Sequence, residues 1–358
     1  LIYLYKGECL LSRFYTVSLK RNIVPIIFVI FLIGLVLFSR SNLYAAKAGL
    51  KLWANNVVPS LFPFFIATNL LGHTNVINCI SKRCNKFMRP IFNVPGQSAY
   101  ALLLGIISGY PVGAKIVTDL RNSNLCTKDE GERMLCFTNN SGPLFIIGTV
   151  GITLFSNTSI GILLLITHIL SAITVGIILG LLSRVKKAHT AISNSYSAVP
   201  VKPCTFSNLG AVLSDAILDA SKTIIMIGGF VVIFSVVISI LNTSHILKAF
   251  SYLLYPMLKL LNVDTSFATS LLSGIIELTN GVSLVCSVPN KSIFVNIVLC
   301  AFLLGFGGIS VLLQVLSISS KSDLSIKKYI YGKLLQGIIA SGFTYILLNV
   351  IPIFNLNF

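Results

Sequence analysis

Gly105-Ile106-Ile107-Ser108-Gly109-Tyr110-Pro111 and Gly274-Ile275-Ile276-Glu277-Leu278-Thr279-Asn280 stand 169 residues apart, and each sets a polar break inside apolar sequence. The offset recurs elsewhere. Asn140-Ser141-Gly142-Pro143 pairs with Gly305-Phe306-Gly307-Gly308 at 165, and Thr167-His168-Ile169 pairs with Leu335-Gln336-Gly337 at 168. Apolar segments interrupted by Gly or Pro at matching places in two halves mark membrane transporters with internal repeats.

The bulk chemistry agrees. Of 358 residues, 55% are hydrophobic and 10% charged, with a mean hydropathy of +0.89. A soluble domain carries about 25% charged residues. Apolar runs reach the roughly 20 residues that cross a bilayer. They are continuous, not alternating, which excludes an outer-membrane barrel. The chain therefore reads as an all-α polytopic membrane protein. Spans are expected near 22–39, 44–72, 133–155, 159–183, 208–241, 292–318 and 328–352. The segments 98–120 and 265–289 carry the polar breaks and read as re-entrant helical hairpins.

The net charge of +17 sorts by side. With the amino terminus inside, eighteen of the 27 Lys and Arg residues fall inside, among them Lys82, Arg83, Lys86 and Arg89, and only six fall outside. That is the positive-inside pattern. No domain-sized basic soluble segment exists, so nucleic acid is not an expected partner. Membrane lipid is, including attraction to anionic head groups. The eight cysteines form no CxxC pair and read as small packing residues.

The expected organisation is an amino-terminal segment and anchor helix over 1–43, a first repeat over 44–187, a cytoplasmic linker over 188–207 and a second repeat over 208–358. Each repeat runs long helix, amphipathic stretch (75–93 and 244–261), hairpin, broken helix, continuous helix. The first hairpin would enter from the cytoplasm and the second from the opposite side. The repeats are then inverted, which supplies a route to alternating access.

Chemistry concentrates at the breaks. Ser108-Gly109-Tyr110-Pro111-Val112-Gly113-Ala114-Lys115 cannot continue as one helix. A helix restarting after Pro111 aims its positive end at the midplane, and Lys115 adds a full charge one turn later. That makes an anion-binding tip; otherwise Pro111 is a packing kink and Lys115 snorkels. Glu277 is the acidic residue deepest in an apolar segment, beside Thr279 and Asn280. Its roles are to bind a coupling cation, carry a proton or hydrogen-bond substrate, or else to cap the hairpin or pair with Lys115. Asn139, Asn140 and Ser141 open the next helix, and their amides and freed carbonyls suit Na⁺. Gly307, Gly308 and Ser310 form the matching break. His168 and Gln336 occupy equivalent places and read as interhelical hydrogen-bonding residues. Asp129-Glu130-Gly131-Glu132-Arg133 reads as a solvated, acid-rich helix start. No HExxH, GxSxG, Walker loop or paired His/Cys set appears, so no enzyme is expected.

Gly305-Phe306-Gly307-Gly308-Ile309-Ser310 resembles the broken-helix motif of concentrative nucleoside transporters and of the nucleoside-recognition Gate domain. Asn56-Val57-Val58-Pro59-Ser60-Leu61-Phe62-Pro63-Phe64, the Ser108–Lys115 tip and Phe137-Thr138-Asn139-Asn140-Ser141-Gly142-Pro143 resemble the YlbJ family of sporulation integral membrane proteins. The resemblance covers nearly all of the chain after about residue 25. It implies a nucleoside-transporter-like fold of inverted repeats with two hairpins and two broken helices. It implies a protein of endospore formers, in the outer forespore membrane, that moves dipicolinic acid toward the spore. Lys115 and helix amino termini would hold the two carboxylates, Tyr110 would stack on the ring, and Asn139, Asn140, Ser141 and Thr279 would add neutral hydrogen bonds. Na⁺ or H⁺ would be the coupling ion, and a second copy or other sporulation membrane proteins the partners. The tip lacks the Gln, Thr and Glu that nucleoside transporters place there. The two other readings are a cation-coupled nucleoside transporter and a non-transporting scaffold of spore assembly.

Overall fold

The computed structural model describes residues 22–74, 76–186, 208–289 and 293–350, and among these every regular element is helical. The expected linker 188–207 and residues 1–21 lie outside the described residues. Helix α1, Asn22–Leu37, meets α2, Ser39–Leu52, at a bend of 100°. Phe38 alone makes the turn, at φ −108° and ψ 33°, and Asn42 Nδ2 clamps it by donating to Gly34 O at 3.0 Å. The helix after the anchor thus starts at Ser39 rather than near 44.

A π-helical turn, Trp53–Val57, joins α2 to α3, Val58–Gly72. Pro59 has no N–H to offer the preceding turn, and the π-helical widening falls in that turn, whereas Pro63 is carried inside α3. Together α2 and α3 run antiparallel to α9, Leu209–Thr243. Gly49 lies against Ser235, Trp53 Nε1 donates to Ile224 O at 2.9 Å, and Asn69 Nδ2 donates to Ala216 O at 3.3 Å. Amphipathic α4, Val76–Phe87, then leads to hairpin one, made of α5, Ser98–Ser108, and α6, Val112–Asn122. In the second half, short α10, Ile246–Ser251, and α11, Tyr255–Leu260, lead to hairpin two. Its legs are α12, Phe267–Ile276, and α13, Leu278–Ser287, with Glu277 alone between them.

Each hairpin is followed by a broken helix. In the first half, α7, Lys128–Thr138, gives way to non-helical residues 139–142 and then to a π-helical segment, Leu144–Leu154. In the second, α14, Phe294–Phe306, breaks at Gly307 and resumes as α15, Gly308–Ser319. Gly307 and Gly308 have φ of +84° and +82°, a conformation that only glycine adopts cheaply. Continuous helices α8, Thr158–Lys186, and α16, Lys327–Val350, close the two halves. Among the described residues four stretches are long and apolar enough to cross a membrane, and the bent α1–α2 pair makes a fifth. The spans expected at 44–72 and 133–155 are assembled from shorter helices instead. The protein is an all-helical integral membrane protein.

The halves interlock. Phe267 and Leu271 of hairpin two pack with Ile146, Val150, Leu163 and Leu164 of the first half. Ala114 and Val117 of hairpin one pack with Val311, Leu312 and Val315 of α15. One end of the bundle is held by charge. Lys328 Nζ lies 2.6 Å from Asp129 and 2.9 Å from Glu132, Arg89 pairs with Glu130 at 2.5 Å, and Arg121 grips Asp323 in a two-point contact at 2.8 and 3.0 Å. The start of α7 is therefore not the solvated cap expected from its composition. Thr127 and Glu130 do form a capping box, yet Glu132 and Arg133 are buried. Arg133 is held by Asp129 and by the backbone carbonyl of Asn93.

Candidate functional site

The four helix breaks converge on one cavity of about 100 Å³. Its polar wall comes from Gly109 and Tyr110 of hairpin one, Ser141 and Gly142 of the first break, Glu277 and Thr279 of hairpin two, and Ser310 and Gln314 of α15. Leu61, Ile227 and Val231 close it with apolar surface. Gly109 has φ +81°, and a Cβ there would meet Gly142 N at 2.8 Å, so the tip of hairpin one fits the first break only as glycine.

Glu277 is buried and sits in extended backbone at φ −140° and ψ 121°. One carboxylate oxygen accepts Thr279 N at 3.1 Å and the other accepts Asn280 N at 2.8 Å. The carboxylate thus caps α13 at the positive end of its dipole. Its partner is not Lys115. That ammonium donates to Asn69 Oδ1 at 3.2 Å, lies 4.0 Å from Asp219, and faces a separate cavity of about 170 Å³ with Phe65, Tyr100 and Asp119. One turn into α6, Lys115 projects toward α3 and α9, away from the tip.

Behind Tyr110 lies a second polar layer, fully buried. Lys333 of α16 has no exposed surface. Its Nζ donates to Asn139 O at 2.9 Å and to Gln336 Oε1 at 2.6 Å, and stands 5.2 Å from the centre of the Tyr110 ring. No described carboxylate comes within 4.0 Å of it. Burying an ammonium away from water is costly unless its protons are hydrogen-bonded, and the Asn139 and Gln336 oxygens meet that need. Gln336 Nε2 donates to Asn140 Oδ1 at 3.0 Å, Asn139 Nδ2 donates to Tyr329 Oη at 2.8 Å, and Asn139 Oδ1 accepts Ala114 N at 3.4 Å. Ser141 N donates to His168 Nε2 at 3.1 Å, which places the ring proton on Nδ1. Tyr110 Oη donates to Leu304 O at 3.2 Å and joins hairpin one to α14.

Three of the oxygens expected to hold Na⁺ already carry donors. Asn139 O accepts from Lys333, Asn139 Oδ1 from Ala114 N and Asn140 Oδ1 from Gln336, while Ser141 turns its N–H toward His168 and its hydroxyl has no hydrogen-bond partner.

Both halves of the chain match one known family. The Gate family, described as nucleoside recognition, matches residues 54–184 and again 224–353. The chain belongs to the Gate family. It is also 35% identical over 318 residues to the sporulation integral membrane protein YlbJ of Bacillus subtilis (strain 168), covering 86% of this chain and 78% of that one. No solved structure matches it.

Of the residues expected to form the site of this Gate protein, Gly109, Tyr110, Ser141, Glu277, Thr279 and Ser310 reach the cavity. Asn139 and Asn140 stand behind it in the buried layer. Gly113 is packed against the Thr138 carbonyl, Gly307 against the Tyr110 hydroxyl and Gly308 against Gly274 O, so these glycines shape the backbone. Ser108 is buried beside the tip. Asn280 lines a different cavity, with Gly49 and Ser235 of α2 and α9. Gln314, which the sequence offers beside Ser310 at the second break, also reaches the cavity, whereas sequence reasoning misses Lys333 and takes Gln336 and His168 only as interhelical polar groups. A pattern is there to find them: Tyr329, Lys333, Gln336 and Thr344 fall on one face of α16, at steps of four, three and eight, and all are buried.

Proposed function

We propose that this protein is a secondary transporter that moves a small anionic solute by alternating access, and that it is not an enzyme. The observation that carries the reading is the cavity at the junction of all four breaks, with each half supplying part of the wall. The π-helical segment and α15 both begin at that wall, and the positive ends of helices favour an anion. Tyr110 offers a ring for stacking, and Thr279, Ser310 and Gln314 offer neutral hydrogen bonds.

Dipicolinate, a planar ring with two carboxylates, is the solute we infer from the resemblance to the sporulation proteins. The outer forespore membrane is the inferred site of action. Glu277 in the same wall opposes a dianion, so a proton on Glu277 travels with the solute. Two negative charges moved against 100 mV cost about 4.6 kcal/mol, and each accompanying proton removes about 2.3 kcal/mol of that cost. The inversion of the two halves supplies the outward and inward states. A second copy or other sporulation membrane proteins are its partners.

Thermal unfolding of the detergent-purified protein with dipicolinate, benzoate and uridine tests this. A ligand at 100 times its Kd stabilises by about 2.7 kcal/mol. The expected result is a shift with dipicolinate that is lost in Tyr110→Leu. A shift with uridine alone would restore nucleoside transport as the reading. No shift with any of the three, in folded protein, would leave a scaffold.

A further inference from the structure

The buried ammonium of Lys333 has a complete set of partners and, among the described residues, no carboxylate within 4.0 Å. Its three donor directions meet a backbone carbonyl, a side-chain carbonyl and the face of a ring. Asn139 O is free to accept because residue 139 has left the helix, at φ −95° and ψ 100°. That carbonyl also lies at the carboxyl-terminal end of α7, the negative end of its dipole. A hard cation wants this kind of surrounding: freed carbonyl oxygen, an amide oxygen and partial negative charge, with no acid to neutralise it. Lys333 does not line the solute cavity, because the Tyr110 ring stands between them. It does not snorkel either, since it has no exposed surface. Its two oxygen partners come from different halves, Asn139 from the first and Gln336 from the second.

We propose that Lys333 is a built-in cation, whose ammonium fills the oxygen-lined site at the α7 break that a coupling Na⁺ would otherwise occupy. The site is therefore closed to Na⁺ in the native protein. This holds whichever solute is carried.

The test is thermal unfolding of the purified full chain in NaCl and in choline chloride at equal ionic strength, for wild type and Lys333→Ala. Wild-type midpoints should coincide in the two salts. Lys333→Ala should unfold lower in choline and recover at least half of the lost midpoint with Na⁺ or ethylammonium, saturably. Lys333→Met, which fills the vacated space, should recover with neither. A Na⁺-specific rise in the wild-type midpoint would overturn the proposal, as would a folded Lys333→Ala indifferent to both cations. Should Lys333→Ala not fold in any of these salts, Gln336→Ala takes its place. It keeps the ammonium and removes one acceptor, so it should stay indifferent to Na⁺; a Na⁺-dependent midpoint there overturns the proposal equally.

Discussion

Replacing Gly113 with alanine tests whether the first break is held by backbone contact. A Cβ at Gly113 would lie 2.2 Å from Thr138 O, 2.6 Å from Thr138 C and 2.9 Å from Asn139 Cα. All three atoms are backbone, so no rotamer change relieves the clash. Hairpin one must withdraw from the break by most of an ångström. Overpacking of this kind costs about 1–3 kcal/mol. The same shift stretches the Ala114 N to Asn139 Oδ1 bond, already 3.4 Å long, and removes roughly another 0.5–1.5 kcal/mol. Alanine's better helix propensity returns about 0.5–1 kcal/mol, leaving a net loss of about 0.5–4 kcal/mol. Gly229 and Gly342 are the controls: both are exposed in helices, and a Cβ added to either would meet nothing within 4 Å. Alanine there should stabilise by about 0.5–1 kcal/mol. The assay is denaturant unfolding in mixed micelles, followed by the fluorescence of Trp53, the single tryptophan. Gly113→Ala as stable as Gly229→Ala would refute the contact.

Glu277→Ala should destabilise α13 by about 0.5–2 kcal/mol through loss of its cap, whereas Glu277→Gln, which keeps one acceptor, should lose less; equal losses in unfolding titrations would count against the capping geometry. Thr344 Oγ1 donates to Thr167 Oγ1 at 3.0 Å across the halves, and a double-mutant cycle of the two valine variants should return a coupling of about 0.6 kcal/mol, against zero if the contact is idle. Arg121 holds the Asp323 carboxyl below its ordinary value of 3.8. Its contribution is therefore complete above that pH and lost as pH falls through the lowered folded value. Wild type and Asp323→Asn should differ at neutral pH and converge in acid; a gap that widens in acid would contradict the pairing.

The breaks were legible because their residues cannot do anything else. Gly109 and Pro111 stop α5, and Glu277 and Gly307 fall where α12 and α14 end. The α8 and α9 boundaries follow from long apolar runs with polar ends. Direction was not legible. Spacing puts Lys115 one turn from the tip, but only packing against α3 and α9 decides that it points away. Lys333 was hidden for another reason. It lies six residues beyond Lys327 and reads as one more basic residue near a span end, until Tyr329, Gln336 and Thr344 are seen to share its face. The acid-rich start of α7 misled because its counter-charges, Arg89 and Lys328, come from distant sequence.

The bonds that complete the buried layer have a consequence for how the protein is made. Asn139 waits for Lys333, which follows 194 residues later, and Asn140 waits 196 residues for Gln336. At about 5–20 residues per second, the ribosome needs roughly 10–40 s to deliver them. For that interval the newborn first half sits in the bilayer with the Asn139 carbonyl and the Asn140 amide oxygen unanswered, and an acidic patch at Asp129 and Glu132 without Lys328. Helix α16 supplies the partner of each. A nascent chain stalled before α16 is thus marked by its own unpaired polar groups, a signal that membrane quality control can read before the polypeptide is finished.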